Sequence, residues 1–361
     1  MKRPLKHYIR ECRARNKLRE CTAVYSVTNS QGFVPSTDYF SKEVYSKDLT
    51  NYKIVKRGMI AYNPSRVNVG SLAVQNAEEQ VVVSPLYVVI SVDETQLLPE
   101  YLCYFLHSDI GLKEIAAHTA GSVRDSLKFS ALQNIEITIR SVEDQRFIIR
   151  ILQKVEVLIN KRRQTLNKLD DLVKSQFIEM FGGIPQEDFV PLSELCKIIT
   201  DGTHQPPKFY DNGIPFLFVS NIANNEINYD TEKYISKETY LELIRRTPIE
   251  IGDILLSTVG SYGHPAIVTD SKKFCFQRHI AYLKPDGDLI ESRYLHGALL
   301  SPIGQEQIER GVKGIAQKTL NLSEIRKIRV PLVSMEQQKA YSAFCLQLDK
   351  SKDIYGLEVA A

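Results

Sequence analysis

Residues 141–181 constrain this chain more than any other stretch, because they run without a Pro or Gly until Gly182 and Gly183 close them. Ser141 stands where a hydroxyl can accept a hydrogen bond from the free amides of a first helical turn. Apolar residues then recur at alternating spacings of four and three: Ile148, Leu152, Val155, Ile159, Leu166, Leu169, Val173 and Met180, with Arg162 and Gln176 completing the seam. That period belongs to a coiled-coil helix and not to a strand. At 1.5 Å per residue such a helix is about 57 Å long. Its other faces are too polar to span a membrane, so the seam needs a partner helix.

The remainder of the 361 residues is enough for two or three domains. With 43% hydrophobic and 25% charged residues, the chain can bury more than one core and is not disordered throughout. A net charge of +3 falls short of binding nucleic acid by charge alone. The basicity is concentrated, however: residues 1–57 hold 13 Lys and Arg against 5 Asp and Glu. Cys12, Cys21, Cys103, Cys196, Cys275 and Cys345 form no CxxC pair, and the seven His form no HxxxH or HExxH arrangement. No apolar run approaches the length of a membrane span, and the basic N-terminus lacks the apolar core of a signal peptide. A cytoplasmic protein with reduced thiols and no bound metal is expected.

Short β-type runs at Lys53-Ile54-Val55, Met59-Ile60-Ala61-Tyr62, Val81-Val82-Val83 and residues 87–92 alternate with Gly, Pro, Asn and Ser clusters. A helical pattern follows from Tyr101, then a polar loop around Gly121, then a strand-like run from Ile135. The same order returns later. Tyr101-Leu102 matches Tyr294-Leu295 at an offset of 294 − 101 = 193. That offset also pairs Ser108 with Ser301, Gly111 with Gly304, Gly121 with Gly314, Leu127 with Leu320 and Ile135 with Ile328. It continues through Ser141 and Ser334, Glu143 and Glu336, and Gln145 and Gln338, while Gly58 falls opposite Gly252 after a one-residue gap. The chain is a duplicated unit of globular domain then helix. The partner helix is therefore the segment after Ser334, with Tyr341, Cys345 and Leu348 at seam positions.

These observations predict an α/β (α+β) fold of two pseudo-twofold-related globular domains separated by an antiparallel helical coiled-coil spacer. Its parts are residues 1–141, the long helix 142–184, residues 185–333 and a shortened helix 334–361. Position 361 corresponds to 361 − 193 = 168, so Leu169 and the residues after it have no repeat counterpart, and Lys352 and Gly356 interrupt the second seam. The expectation is that this distal seam is covered by another subunit or a second copy of the chain.

Candidate binding residues follow from chemistry and loop position. Arg13, Arg15 and Lys17 lie in a basic, turn-rich segment suited to phosphates or to a solvated face. Asn63, Ser65, Arg66 and Asn68 sit in a polar turn whose Arg can fork onto guanine. Its Asn-Pro is similar to the Asn-Pro-Pro-aromatic loop of amino-methyltransferases, but Ser65 and Arg66 replace the second Pro and the aromatic residue, so a methyltransferase site is rejected. Thr203, His204, Gln205, Lys208, Ser220 and Asn221 bracket a Pro-rich loop, where His204 reads as a surface or capping residue and not as a metal ligand. Ser261 and Tyr262 belong to a Gly-rich turn that lacks the Lys-Ser/Thr ending of a P-loop. No catalytic constellation is evident.

With these residues in hand, the chain resembles the DNA-specificity subunit of type I restriction-modification systems. The resemblance lies in Gly32-Phe33-Val34-Pro35, Ala61-Tyr62-Asn63-Pro64-Ser65-Arg66, Asp201-Gly202-Thr203-His204-Gln205-Pro206-Pro207-Lys208 and Gly213-Ile214-Pro215-Phe216. The helix opening Glu143-Asp144-Gln145-Arg146-Phe147 and the later Leu166-Asn167-Lys168-Leu169 carry it into the spacer. It implies a non-catalytic reader of double-stranded DNA whose two target-recognition domains each read half of a split target. It also implies that the helices act as a ruler, limiting the span to about 17 base pairs at ~3.4 Å each. Two methyltransferase subunits using S-adenosylmethionine, and a restriction (motor-nuclease) subunit using ATP and Mg, are the implied partners. A stand-alone DNA methyltransferase or nuclease, and a coiled-coil adaptor without a DNA role, are the alternatives.

Overall fold

A computed structural model describes residues 2–39, 45–119, 126–222, 225–314 and 317–356. The polar loop expected around Gly121 and the C-terminal residues 357–361 lie outside the described residues. The chain divides into two compact units, residues 1–158 and 159–361.

The first unit contains β1 (Lys2–Pro4), β2 (Ile9–Glu11), β3 (Tyr25–Thr28), β4 (Gly32–Pro35), α1 (Ser36–Tyr39), β5 (Lys53–Lys56), β6 (Ile60–Tyr62), β7 (Leu72–Val74), β8 (Gln80–Val83) and β9 (Val88–Val92). It continues with α2 (Pro99–His107), α3 (Asp109–Thr119), α4 (Phe129–Leu132), β10 (Glu136–Thr138) and the start of α5 (Val142–Phe181). Its central sheet has the order β2-β9-β6-β7, and β1 pairs with β10. Ile60, Tyr62 and Ile90 from the sheet pack against Leu102 and Leu106 of α2 and Leu132 of α4. Each expected β-run holds a strand: β-branched and aromatic residues favour the extended chain, and β6, β8 and the start of β9 are buried on both faces.

The second unit contains β11 (Phe189–Pro191), α6 (Leu192–Leu195), β12 (Cys196–Asp201), β13 (Ile214–Leu217), β14 (Tyr234–Ile235), α7 (Lys237–Leu243), β15 (Ile254–Ser257), β16 (Pro265–Ile267), β17 (Cys275–Phe276) and β18 (Ile280–Pro285). Then come α8 (Ser292–Leu300), α9 (Pro302–Gly311), β19 (Val312–Lys313), β20 (Thr319–Leu320), α10 (Leu322–Ile325), β21 (Arg329–Pro331) and α11 (Met335–Gly356). Its central sheet, β12-β18-β15-β16, and its β11-β21 pair repeat the first unit's topology. The offset of 193 carries α2 onto α8, α4 onto α10 and β10 onto β21 residue for residue, as 292 − 99, 322 − 129 and 329 − 136 each show.

The identical residues at this offset have structural work in both copies. Gln145 accepts the Leu98 amide at 2.8 Å and donates to Gln96 O at 2.7 Å and Arg140 O at 3.0 Å. Gln338 accepts the Glu291 amide at 2.8 Å and donates to Leu289 O at 3.2 Å and Val333 O at 2.9 Å. Each Gln ties the first turn of its long helix to the loop before α2 or α8, with 98 + 193 = 291 and 96 + 193 = 289. Gly111 and Gly304 are glycines because a Cβ would meet Phe105 O at 2.0 Å or Ala298 O at 2.2 Å. Outside this frame the units differ. The first carries the β3-β4 hairpin and the antiparallel β5-β8 pair, and the second the β14-β13-β17 sheet, in which β13 and β17 are parallel.

Helix α5 spans 40 residues, about 60 Å. It starts where expected: Ser141 Oγ accepts the Asp144 amide at 3.1 Å, and Glu143 and Asp144 place negative charge at the positive end of the helix dipole. It stops at Gly182, where a Cβ would meet Ile178 O at 2.6 Å.

The seam needs a correction. In the second unit α11 lies antiparallel on the distal part of α5: Tyr341 donates to Val173 O at 3.2 Å, and eleven residues later Lys352 reaches Asp170 at 2.5 Å. Val173, Phe177 and Phe181 are buried with Tyr294, Tyr341 and Cys345, and Leu348 packs against the same cluster. The distal seam is thus covered within the chain, not left for another subunit. Repeat correspondence does not give packing partnership, because antiparallel helices pair the start of one with the end of the other. Lys352 does not interrupt the pairing but forms an ion pair in it. Of the remaining seam positions, Ile148, Leu152, Ile159, Leu166 and Leu169 are half-buried and Val155 is exposed.

Candidate nucleic-acid interface

Two loops of each unit carry most of the candidate residues, and the sheet brings them together. In the first unit the chain leaves β2 into a basic loop held from inside by Asn16, which is 2% exposed. Asn16 Nδ2 donates to Cys21 O at 2.7 Å, and its Oδ1 accepts the Cys21 amide at 3.2 Å. That closed loop displays its basic side chains. Arg13 grips Glu11 Oε2 through Nε at 2.8 Å and Nη2 at 2.6 Å, and Arg15 donates to Asn51 Oδ1 at 2.9 Å. Lys17 is exposed and makes no ion pair among the described residues. After β6 comes the second loop, where Asn63 Oδ1 accepts the Ser65 amide at 3.1 Å and turns the chain. Val67 is buried beneath it, while Ser65, Arg66 and Asn68 face solvent.

In the second unit the loop after β12 is threaded tightly past β17, where a Cβ on Gly202 would meet Phe276 O at 2.2 Å. Asp201 organises it, bonding His204 Nε2 at 2.9 Å and Arg246 Nη2 at 2.5 Å. Thr203 Oγ1 donates to Gln205 O at 3.0 Å, and Lys208 Nζ sits 5.3 Å from the Tyr210 ring centre. Gln205 and Ser220 are exposed. Asn221 is a correction to the sequence-based set. It is 7% exposed, its Oδ1 accepts the Phe218 amide at 2.9 Å, and its Nδ2 donates to Asn228 O at 2.9 Å and Asp230 O at 2.8 Å. It staples its own loop and has no group left for a base. The loop after β15 exposes Ser261, but the Tyr262 hydroxyl is held by Glu309 and by Lys318 Nζ. The same contacts hold the Glu309 carboxyl below its usual range and raise the Lys318 ammonium.

Each unit has a groove where these loops meet a third element. In the first unit it measures about 680 Å³ and is lined by Glu11, Arg13, Pro64, Val88, Lys128, Phe129, Ser130 and Gln133. In the second it measures about 460 Å³, and its lining includes Asp201, Thr258, Val259, Arg278, His279, Gln317, Asn321 and Leu322. The two occupy the same place in the fold. Pro64 and Thr258 correspond by the one-residue gap after Gly58, and Lys128 and Phe129 become Asn321 and Leu322 at the offset of 193. Glu11 lies opposite Ile90, so two residues on Arg13 lies opposite Val88, the counterpart of Ala281, which pairs with Asp201. The polar groups at matched lining positions differ, Arg13 against Asp201 and Lys128 against Asn321, while the residue after Lys128 or Asn321 stays apolar. Burial and the neighbouring Arg278 lower the His279 pKa. The neutral ring accepts the Arg278 Nε–H at 3.3 Å.

Loop position did not find Lys128, Arg278 or Asn321. The identity of Leu127 with Leu320 could have found two of them, since each anchors the chain immediately before. Among the described residues no group of three or more His, Cys, Asp or Glu is arranged to hold a metal ion, and no helix is long and apolar enough to cross a membrane.

Comparison with known proteins agrees with this duplicated arrangement. Residues 26–169 and 187–355 each match the family model described as type I restriction modification DNA specificity domain. The specificity subunit of the type I restriction enzyme EcoBI of Escherichia coli is 33% identical over 137 residues, which are 38% of this chain and 29% of that one. The MjaVIII specificity subunit of Methanocaldococcus jannaschii is 23% identical over 274 residues, 69% of this chain and 64% of that one. The chain thus spans less than two thirds of the length of these two relatives. A chain from a structural study of complex assembly and conformational transition in a type I R-M system shares the fold, with a TM-score of 0.51 and 20% identity over 100% of this chain and 93% of that one. Two tandem matches cover most of the sequence, and the chain belongs to the family of type I restriction modification DNA specificity domains.

Proposed function

We propose that the chain is the specificity subunit of a type I restriction-modification complex, a non-catalytic reader of double-stranded DNA. One observation carries the reading: a single frame is repeated with identical structural residues, while the loops and grooves built on it differ between the copies. Two readers on one frame suit a bipartite target with unlike halves. Residues 1–141 and 185–333 are the two target-recognition domains, and α5 with α11 forms the spacer between them. The partners are two methyltransferase subunits, which use S-adenosylmethionine, and a motor-nuclease subunit, which uses ATP and Mg; the complex works in the cytoplasm.

With the distal seam covered by α11, the docking surface for methyltransferase moves to the first half of α5. Phe147, Ile151, Val155 and Leu158 lie there at spacings of four, four and three, with exposures of 58, 45, 45 and 58%. An exposed apolar row of that kind on a charged helix supports a subunit contact.

Co-expression with the methyltransferase of the same locus should place N6-methyladenine at a split motif. A single continuous motif, or no methylation, refutes the reading. Exchanging residues 1–141 for another recognition domain should change one half of the motif and leave the other.

A further inference from the structure

We propose that Lys128 and Asn321 each read one base pair, Lys128 selecting guanine in one half of the target and Asn321 selecting adenine in the other. The inference rests on the DNA-specificity reading above and adds the residues that set the sequence.

Both side chains occupy the same position in their units, immediately before the short helices α4 and α10 and on the lining of the equivalent grooves. Their backbones match as well, with φ −69° and ψ 156° at Lys128 and φ −77° and ψ 152° at Asn321. This is an N-cap position, and Asn is among the best capping residues. Yet the Asn321 side chain accepts no cap hydrogen bond, and a Lys cannot accept one. Elsewhere in the second unit Ser236, Glu291 and Ser301 do cap their helices. Both Lys128 and Asn321 are exposed, and neither side chain has a hydrogen bond or ion pair among the described residues. The fold therefore builds one position twice, fills it with unlike polar groups, and uses neither group for its own stability.

The chemistry of the two groups assigns the bases. A Lys ammonium only donates, which suits the paired acceptors O6 and N7 of guanine. A carboxamide donates and accepts, which suits N7 and N6 of adenine. Arg278 lines the second groove as positive charge for a flanking phosphate, while Arg13 in the first groove is paired with Glu11.

Lys128→Asn and Asn321→Lys, each made in the full chain and co-expressed with the methyltransferase of its locus, test the assignment by mapping methylated sites. Each substitution should alter one position of one half-motif, by about 5- to 150-fold in preference between bases, and leave the other half intact. The proposal is overturned if both variants methylate the wild-type motif to the same extent, or if either changes both halves together. Should methylation be lost outright, binding of the assembled complex to a set of duplexes decides. A uniform loss across sequences with a salt slope reduced by about one marks a phosphate contact and overturns the assignment, whereas a loss confined to the cognate sequence supports it. A wild-type complex with no split motif removes the specificity reading itself, a failure visible before any variant is made.

Discussion

Gly297→Ala tests the packing of α11 on the second unit most directly. Gly297 is inside α8, where Ala ordinarily stabilises by about 1 kcal/mol relative to Gly. Here a Cβ would stand 2.3 Å from Tyr341 Oη, 2.5 Å from Cε1 and 2.6 Å from Cζ. Carbon contacts settle near 3.5–4.0 Å, so the ring must withdraw by roughly an ångström. It has nowhere to go. Tyr341 is fully buried, its ring centre lies 5.4 Å from Phe177, 5.9 Å from Phe181 and 6.1 Å from Tyr294, and its hydroxyl donates to Val173 O at 3.2 Å. Overpacking costs about 1–3 kcal/mol and the strained hydrogen bond about 1 more, so after the helix-propensity gain the net loss should be about 1–3 kcal/mol. Tyr341→Ala alone should cost about 3–5 kcal/mol, by comparison with other buried aromatic truncations. In that background Gly297→Ala should become neutral or stabilising by up to about 1 kcal/mol, giving a coupling of about 1–4 kcal/mol. Because the chain has two units, hydrogen exchange of peptides covering residues 166–181 and 335–352 is the appropriate measurement, not a single global melt. If Gly297→Ala stabilises the wild type, or the two substitutions add to within about 0.5 kcal/mol, α11 does not pack as described.

Three further outcomes are expected. Gln145→Ala and Gln338→Ala should each cost about 1–3 kcal/mol by leaving a partly buried amide, Leu98 N–H or Glu291 N–H, without that acceptor and removing two further hydrogen bonds of a buried side chain; unchanged exchange at those two amides would refute the clamp. Tyr62→Phe should be neutral or stabilise the first unit by about 1 kcal/mol, because the Tyr62 hydroxyl is buried without a partner among the described residues and its counterpart in the second unit is Leu256. A clear loss in urea unfolding would show that the hydroxyl has an unrecognised role. Finally, burial pushes His296 down to about 4 from 6.5. The unfolded chain therefore binds the proton more readily between those values, so the His296 contribution is complete at neutral pH and is lost as pH falls from about 6.5 through about 4, by at most ~3 kcal/mol. His296→Gln should flatten that part of the stability–pH curve, and an unchanged curve counts against the burial argument.

Much of the frame was legible in the sequence, and for a physical reason. Helix α5 announces itself by its period, its Ser141 cap and its Gly182 stop, all of which are local. The duplication was legible because residues such as Gly111 and Gln145 answer to backbone atoms that exist in both copies, so neither copy can change them freely. What the sequence did not disclose was partnership. Tyr341 and Cys345 were recognised as seam residues, but which turns of α5 they meet depends on the direction of α11, and periodicity carries no direction. Asn221 was misjudged for a related reason. Its amide is as suited to a base edge as to three backbone groups, and only the approach of Phe218, Asn228 and Asp230 to it decides.

The internal repeat does for one chain what a set of relatives does for many: it shows each position twice under a shared frame. Where both copies keep a residue, the structure supplies a mechanical cause: a Cβ with no room at Gly111 and Gly304, a three-bond clamp at Gln145 and Gln338, a buried anchor at Leu127 and Leu320. Where the copies differ at a position whose backbone is the same, mechanical demand is absent and the side chain is free to follow the ligand. Lys128 against Asn321 is such a position; Arg13 against Asp201 and Pro64 against Thr258 also differ and line the two grooves, though Arg13 and Asp201 hold ion pairs within their own units. A protein reading two copies of one sequence would have kept those pairs alike. Under the proposed specificity reading, their divergence within a preserved frame fits two units that meet different bases.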